Sequence, residues 1–180
     1  MSDSWNDKSL RELMEHIVAK HHTFCRQEMT RIGHLFKEAV SSLRAQPQLK
    51  PMEALFAAMA KDLAMHLVKE EQTLFPYIAS IEDAVAQNAS VSWPPFGSVG
   101  NPIRMMILEH GQTGTELAEI RRLSNGYTVP PGATELLATL YDGLQIFELS
   151  MTDHIHAEDD LLFPRAIALE ELACARSKPM

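Results

Sequence analysis

The chain has 180 residues, of which 46% are hydrophobic and 22% charged, a composition typical of one globular domain with a sizeable core. A net charge of −8 argues against a nucleic-acid partner, and no apolar run approaches the ~20 residues of a membrane-spanning helix. The N-terminus lacks the apolar segment of a secretion signal, and Cys25 and Cys174 form no CxxC pair, so we expect a cytoplasmic protein without a membrane partner.

Helical periodicity begins at Leu10 and predicts a first long helix that ends near the turn at Pro47–Pro51. A second helix is predicted from about Met52. Pro76 is expected to end it, because a proline cannot continue the helical hydrogen-bond ladder.

The clearest break in the pattern lies at residues 83–102, which are rich in Pro, Gly and Ser. The third predicted helix follows this break, and its apolar stripe contains Ile103, Ile107, His110, Gly114 and Leu117. A loop at 124–132 precedes the fourth helix, which is expected to end at Pro164. Two short links and one long central link predict an all-α, antiparallel up-down four-helix bundle. We treat residues 1–180 as one domain, with a core at about 8–170 and a tail at 171–180.

Two stretches of the sequence repeat each other. Residues 65–78 read MHLVKEEQTLFPYI and residues 153–166 read DHIHAEDDLLFPRA, each with a Glu four residues and a Phe-Pro nine residues after its His. The spacing extends to a further pair of histidines, since 66 − 22 = 44 and 154 − 110 = 44. The two halves are therefore offset by 88 residues, which predicts one helical hairpin repeated about a pseudo-twofold axis.

A His and a Glu at positions i and i+4 share one helix face, and here that face is the apolar one. A carboxylate buried there without a partner would be costly. The repeat should bring four imidazoles and two carboxylates to one level of the bundle; these residues are His22, His66, Glu70, His110, His154 and Glu158. Each histidine alone is more simply explained as an ordinary core residue, and each glutamate as reaching the bundle edge. Six residues in register across a duplication instead favour a metal site.

Such a set is large enough for two metal ions, with each Glu bridging and two His on each ion. Mixed imidazole and carboxylate ligands suit iron, with manganese or zinc as substitutes. A position left open on the metals would admit a small ligand.

Several nearby polar residues compete with this assignment. His21 precedes His22, but the 44-residue spacing favours His22 as the ligand. His156 is two residues past His154 and should point away from the core. The remaining charged residues are interpreted as solvated helix faces, with the alternative that one of them orients a ligand histidine; these are Lys69, Glu71, Asp153, Asp159 and Asp160.

The segments KHHTFCRQ, HLVKEEQTLFPYI, NPIRMMILEHGQTG, YTVPPG and DHIHAEDDLLFPRA resemble the hemerythrin-like, or HHE cation-binding, domain of the repair-of-iron-centres di-iron proteins. The resemblance covers about residues 10–170. It implies a four-helix bundle with a non-haem, oxo-bridged di-iron centre whose ligands are the same six residues, both glutamates bridging.

The resemblance implies a role in nitric oxide or oxidative stress, or in iron supply to damaged iron–sulfur centres, with iron–sulfur proteins as partners. The residues leave two alternatives open. One is an oxygen- or NO-binding carrier or sensor without repair activity, and the other is a structural bundle without a redox role.

Overall fold

The computed structural model of the protein describes residue 5 and residues 7–43 and 46–176. These residues form four long helices and no strand, which confirms the predicted all-α class. We name the helices α1 (residues 10–42), α2 (49–86), α3 (100–123) and α4 (135–176). Their segments are Leu10–His16, Ile17–His22 and Thr23–Ser42 in α1; Leu49–Lys69, Glu70–Leu74 and Phe75–Ala86 in α2; Gly100–Leu123 in α3; and Glu135–His156, Ala157–Leu162 and Phe163–Arg176 in α4.

In the bundle α1 packs on α2 and α4, α3 packs on the same two helices, and the C-terminal segments of α2 and α4 also pack on each other. The core consists of two apolar clusters, one around Phe36 and Phe147 and the other around Ile78 and Phe163. On α1, His22 lies between Ile17 of the second cluster and Cys25 of the first. The bundle therefore has a polar layer between two apolar ones. Within the described part of the chain, no helix has both the length and the apolarity needed to cross a membrane.

Three of the helical segments are π-helical turns, which the sequence analysis did not predict: Ile17–His22, Glu70–Leu74 and Ala157–Leu162. In a π turn each amide bonds to the carbonyl five residues earlier, as the amide of Phe75 does to the carbonyl of Glu70. Each of the three turns contains one of the six residues singled out from the sequence. This agrees with the general tendency of π turns to occur at functional sites.

The prediction that Pro76 and Pro164 end their helices is wrong, because α2 continues to Ala86 and α4 to Arg176. A proline in a helix crowds the carbonyl four residues earlier and lacks an amide donor. In both helices that earlier residue, Gln72 or Asp160, lies in a π turn, where the hydrogen-bond pattern is already shifted. The helical segment after each turn starts afresh, and a proline is tolerated in a first turn. Helix α4 thus runs into the predicted tail, and residues 177–180 lie outside the described residues.

The predicted apolar stripe of α3 is only partly correct. Its positions 103, 110 and 117 are buried, and its positions 107 and 114 are not. Ile107 is 44% exposed and Gly114 is also exposed. The helix instead buries Ile103, Met106, His110, Thr113, Leu117 and Ile120. The true stripe includes the polar Thr113 and omits the apolar Ile107, so hydrophobicity alone selected the adjacent row of positions.

The long connection before α3 is held to the bundle by a buried carboxylate. Glu170 of α4 is 5% exposed and accepts hydrogen bonds from the Tyr77 hydroxyl at 2.8 Å, the Ser98 hydroxyl at 2.5 Å and the Val99 amide at 2.9 Å. One side chain thus joins α2 and the start of α3 to α4.

We expect Glu170→Ala to lower the free energy of unfolding by about 2 kcal/mol or more, because it leaves buried donors without an acceptor. Glu171→Ala, at the exposed neighbouring position, is the matched control and should change the stability by less than about 0.5 kcal/mol. Urea denaturation followed by circular dichroism measures both values. Equal stabilities of the two variants would contradict the role assigned to Glu170.

Candidate metal centre

The six residues singled out from the sequence meet in the polar layer of the bundle. His22 comes from α1, His66 and Glu70 from α2, His110 from α3, and His154 and Glu158 from α4. All six side chains are buried, and both glutamates have no exposed surface. The repeated hairpin therefore places its two halves at one level, as the 44-residue spacing predicted.

The six residues form two overlapping groups, each with ligand-type atoms within 4.8 Å of one another. One group contains His22, Glu70, His154 and Glu158, and the other contains His66, Glu70, His110 and Glu158. Each group takes one histidine from each hairpin, and the two glutamates belong to both. The site is thus assembled across the repeat and does not lie within one hairpin.

The oxygens of each glutamate are divided between the two groups. Oε1 of Glu70 lies 3.1 Å from Nε2 of His66, and Oε2 lies 3.5 Å from Nε2 of His22. Oε1 of Glu158 lies 3.0 Å from Nε2 of His154, and Oε2 lies 3.2 Å from Nε2 of His110. Each carboxylate therefore presents one oxygen to each histidine pair, which is the arrangement that a bridging carboxylate needs.

Three further carboxylates orient the imidazoles from outside. Nδ1 of His22 donates a hydrogen bond to Glu71 at 2.7 Å, and Nδ1 of His110 donates one to Asp159 at 2.8 Å. The sequence analysis interpreted Glu71 and Asp159 as solvated, with ligand orientation as the alternative, and here the alternative is correct. Such bonds place the proton on Nδ1 and turn Nε2 inward, where a metal ligand must face.

The third of these carboxylates was missed by the sequence analysis. Glu109 accepts a hydrogen bond from Nδ1 of His66 at 2.8 Å and is itself held by Lys69, whose Nζ lies 2.6 Å from Oε2. The repeat offered no signal for Glu109, because the residue 88 positions earlier is His21. Glu71 is also held by a cationic side chain, because Arg26 donates to it at 2.8 Å.

The charges of the site fit metal cations. The five carboxylates are Glu70, Glu71, Glu109, Glu158 and Asp159, and the cationic side chains paired with them are Arg26 and Lys69, which leaves an excess of 5 − 2 = 3 negative charges. Both carboxylate oxygens of Glu70 and of Glu158, and Nε2 of His22 and of His154, have no hydrogen-bond partner among the residues described. Buried lone pairs without donors are costly, and cations placed between them would satisfy them.

The pKa values of the metal-free site reflect the same excess of negative charge. Burial lowers the pKa of the His110 imidazole, but the hydrogen bond to Asp159 and the nearby Glu158 carboxylate outweigh burial and raise it to about 10. Burial, and then the charge of Glu158, raise the pKa of the Glu70 carboxyl. Both shifts favour the protonated form of the group.

The two other histidines near the centre lie outside both groups. His156 is 56% exposed and pairs with Asp160 at 2.5 Å, away from the core as predicted. His21, the competing candidate, is buried and stacks on His154 with ring centroids 5.6 Å apart. Burial lowers the pKa of His21 to about 4. His21 therefore contacts the centre by stacking on His154, and it supplies no atom to either group.

Comparison with known proteins agrees with this geometry. The sequence pattern of the family described as "Hemerythrin HHE cation binding domain" matches residues 13–166, which include all six residues. Similar proteins include the iron–sulfur cluster repair protein YtfE of Yersinia pseudotuberculosis serotype IB (strain PB1/+) and that of Yersinia pestis (strain Pestoides F). Each is 30% identical over 168 residues, which cover 92% of this chain and 70% of the relative.

We expect Asp159→Ala to weaken the binding of a divalent cation by about 10-fold or more, because it removes the carboxylate that orients His110. Asp160→Ala removes an adjacent, exposed carboxylate of the same type and is the control. Competition with a chelator of known affinity gives both dissociation constants, and circular dichroism verifies that both variants fold. Equal dissociation constants would show that the Asp159–His110 bond does not support metal binding.

Proposed function

The chain belongs to the hemerythrin HHE cation-binding family, and on this premise we propose that it is a non-haem di-iron protein that restores damaged iron–sulfur centres under nitric oxide or oxidative stress. His22 and His154 would hold one iron, His66 and His110 the other, and Glu70 and Glu158 both. Bound iron would supply a redox-active centre able to take up NO or O2, or iron for delivery to an acceptor.

The observation that carries the two-metal part of the proposal is the division of the glutamate oxygens. An ordinary buried ion pair between one histidine and one glutamate would involve a single carboxylate oxygen. Here all four oxygens of Glu70 and Glu158 lie near an imidazole Nε2, each near a different histidine. The Nε2 atoms of His66 and His110 also lie 3.1 Å apart, a distance at which either a proton or a shared cation can lie between them.

The chemistry of the donors supports iron as the metal. Both groups combine neutral imidazoles with carboxylates, a mixture that suits iron, and manganese or zinc remain substitutes. The buried Cys25 does not contribute, since its Sγ contacts the Met151 sulfur at 3.8 Å and belongs to neither group. A thiolate-rich site, which would favour zinc or copper, is therefore not what these residues provide.

The residues of the chain have three separate tasks in this proposal. The glutamates and imidazoles would bind the metals. Glu71, Glu109 and Asp159 accept hydrogen bonds from the Nδ1 atoms and thereby fix the orientations of three rings. The apolar clusters above and below exclude bulk water from the layer. Water exclusion strengthens electrostatic binding and protects a reactive centre from side reactions.

The relatives favour repair over simple ligand carriage. Proteins named for iron–sulfur cluster repair match this chain over 92% of its length. The proposal accordingly includes iron–sulfur proteins as partners and a cytoplasmic location, where such proteins are made and damaged. Reversible binding of oxygen or NO without repair is the competing function that the experiment below separates.

We expect the protein, loaded anaerobically with ferrous iron, to carry two irons per chain and to reactivate an iron–sulfur enzyme whose cluster has been damaged by NO. Glu70→Gln should abolish both properties, because it removes a carboxylate shared by both groups. The control His156→Ala should retain them, since His156 lies off the core. The assay measures recovered activity of the damaged enzyme.

The other outcomes of this experiment identify the alternatives. A protein that holds two irons and binds O2 or NO reversibly, yet leaves the damaged enzyme inactive, is a carrier or sensor. A protein that retains no iron after loading is a structural bundle, and either result overturns the proposal.

A further inference from the structure

The four imidazoles of the centre are not equally supported. His22, His66 and His110 each donate from Nδ1 to a carboxylate, at 2.7–2.8 Å. His154 is 1% exposed, and its Nδ1 has no hydrogen-bond partner within the part of the chain that the structure describes. An imidazole that binds metal through Nε2 carries its proton on Nδ1, so this buried N–H is left without an acceptor.

The internal repeat identifies the residue responsible. Subtracting 88 from the partner of His66 gives 109 − 88 = 21, so His21 occupies the place of Glu109 beside His154. The clamp is missing as well, because Ala157 occupies the place of Lys69, 157 − 88 = 69. The rings of His21 and His154 are stacked, with 12° between their planes, and Nδ1 of His154 forms no hydrogen bond with His21.

We propose that His21 makes the two metal positions unequal, so that a cation held by His22, Glu70, His154 and Glu158 leaves the protein faster than one held by His66, Glu70, His110 and Glu158. This inference rests on the proposed function and names the iron that would be delivered first. His21 acts through His154 and is a positioning residue.

Support of the imidazole is the first physical reason for the difference. A carboxylate on Nδ1 raises the basicity of the ring and fixes its orientation, and loss of such a partner weakens metal binding by about 10–100-fold. Three of the four histidines have this support, and both histidines of the His66–His110 pair are among them. Of the two positions, only the one that uses His154 includes an unsupported ring.

The side chains that line the nearby cavities are the second reason. His21 stacks on His154 and also lines a cavity of about 360 Å³, together with Trp5, Lys20 and Asp153. Beside His66 the corresponding cavity, of about 230 Å³, is lined by His66 itself and by Glu109 and Lys69, which form an ion pair. On that side the lining residues hold the ring of His66, whereas no residue lining the His21 cavity bonds to Nδ1 of His154.

The test follows the release of iron from protein loaded anaerobically to two ferrous ions per chain, after addition of excess ferrous chelator. We expect two phases of one equivalent each, with rates that differ by about 10-fold or more. The double variant His21→Glu/Ala157→Lys restores the pair found in the other half and should slow the fast phase toward the slow one. Lysine is included because Asp153 lines the same cavity and would repel an isolated carboxylate.

The mirror variant Glu109→His/Lys69→Ala is the matched control, since it transfers the His21 arrangement to the other half. It should accelerate the slow phase and leave the fast phase in place. Release of both irons in one phase from the wild-type protein would overturn the inference. So would a double variant that holds two irons and keeps the wild-type fast phase.

A measurement on the zinc-loaded protein tests the same asymmetry without kinetics. Nuclear magnetic resonance of the imidazole N–H groups should show three Nδ1 protons shifted downfield by carboxylate acceptors and one, that of His154, lacking this shift. Four equally shifted protons would contradict the assignment. Failure to bind two metals per chain would instead refute the proposed function, so the two failures are distinguishable.

Discussion

Two carboxylates without any exposed surface share one small volume at the centre of the bundle, and the rest of the structure accommodates them. Glu70 and Glu158 cannot be solvated there, and burial of unpaired charge is among the largest costs in a protein interior. Protons or cations placed between the two carboxylates would compensate that charge. The layer between the two apolar clusters places four imidazoles around these carboxylates, so that the groups able to bind protons or cations lie next to the buried charge.

The π turns and the outer carboxylates are the means by which the helices present so many polar groups to one level. In the turns at Glu70–Leu74 and Ala157–Leu162, adjacent residues have different tasks. On α2, Glu70 is one of the six residues of the centre, and Glu71 accepts the hydrogen bond from His22. The π turn before each proline explains how the helix continues past it. The repeated Phe-Pro pair therefore follows each π turn of the centre and does not mark a helix end.

Spacing was sufficient to predict the bundle, the repeat and the meeting of six residues, because these depend on periodicity and register. It failed at features that depend on local hydrogen bonding, such as the helices that continue past Pro76 and Pro164. It also missed Glu109, because the repeat places a histidine at the equivalent position. The departure from symmetry at His21 and Glu109 became visible only when the partners of each imidazole were known. The repeat thus predicts the residues that the two halves share, and it gives no indication of the positions at which they differ.

The central claim, that this polar layer is a two-metal centre, is tested most directly by anomalous diffraction at the iron edge from crystals of the anaerobically loaded protein. The account predicts two anomalous peaks, one between His22 and His154 and one between His66 and His110, each adjacent to both Glu70 and Glu158. A single peak shared by the four histidines, or iron bound only outside this layer, would contradict it.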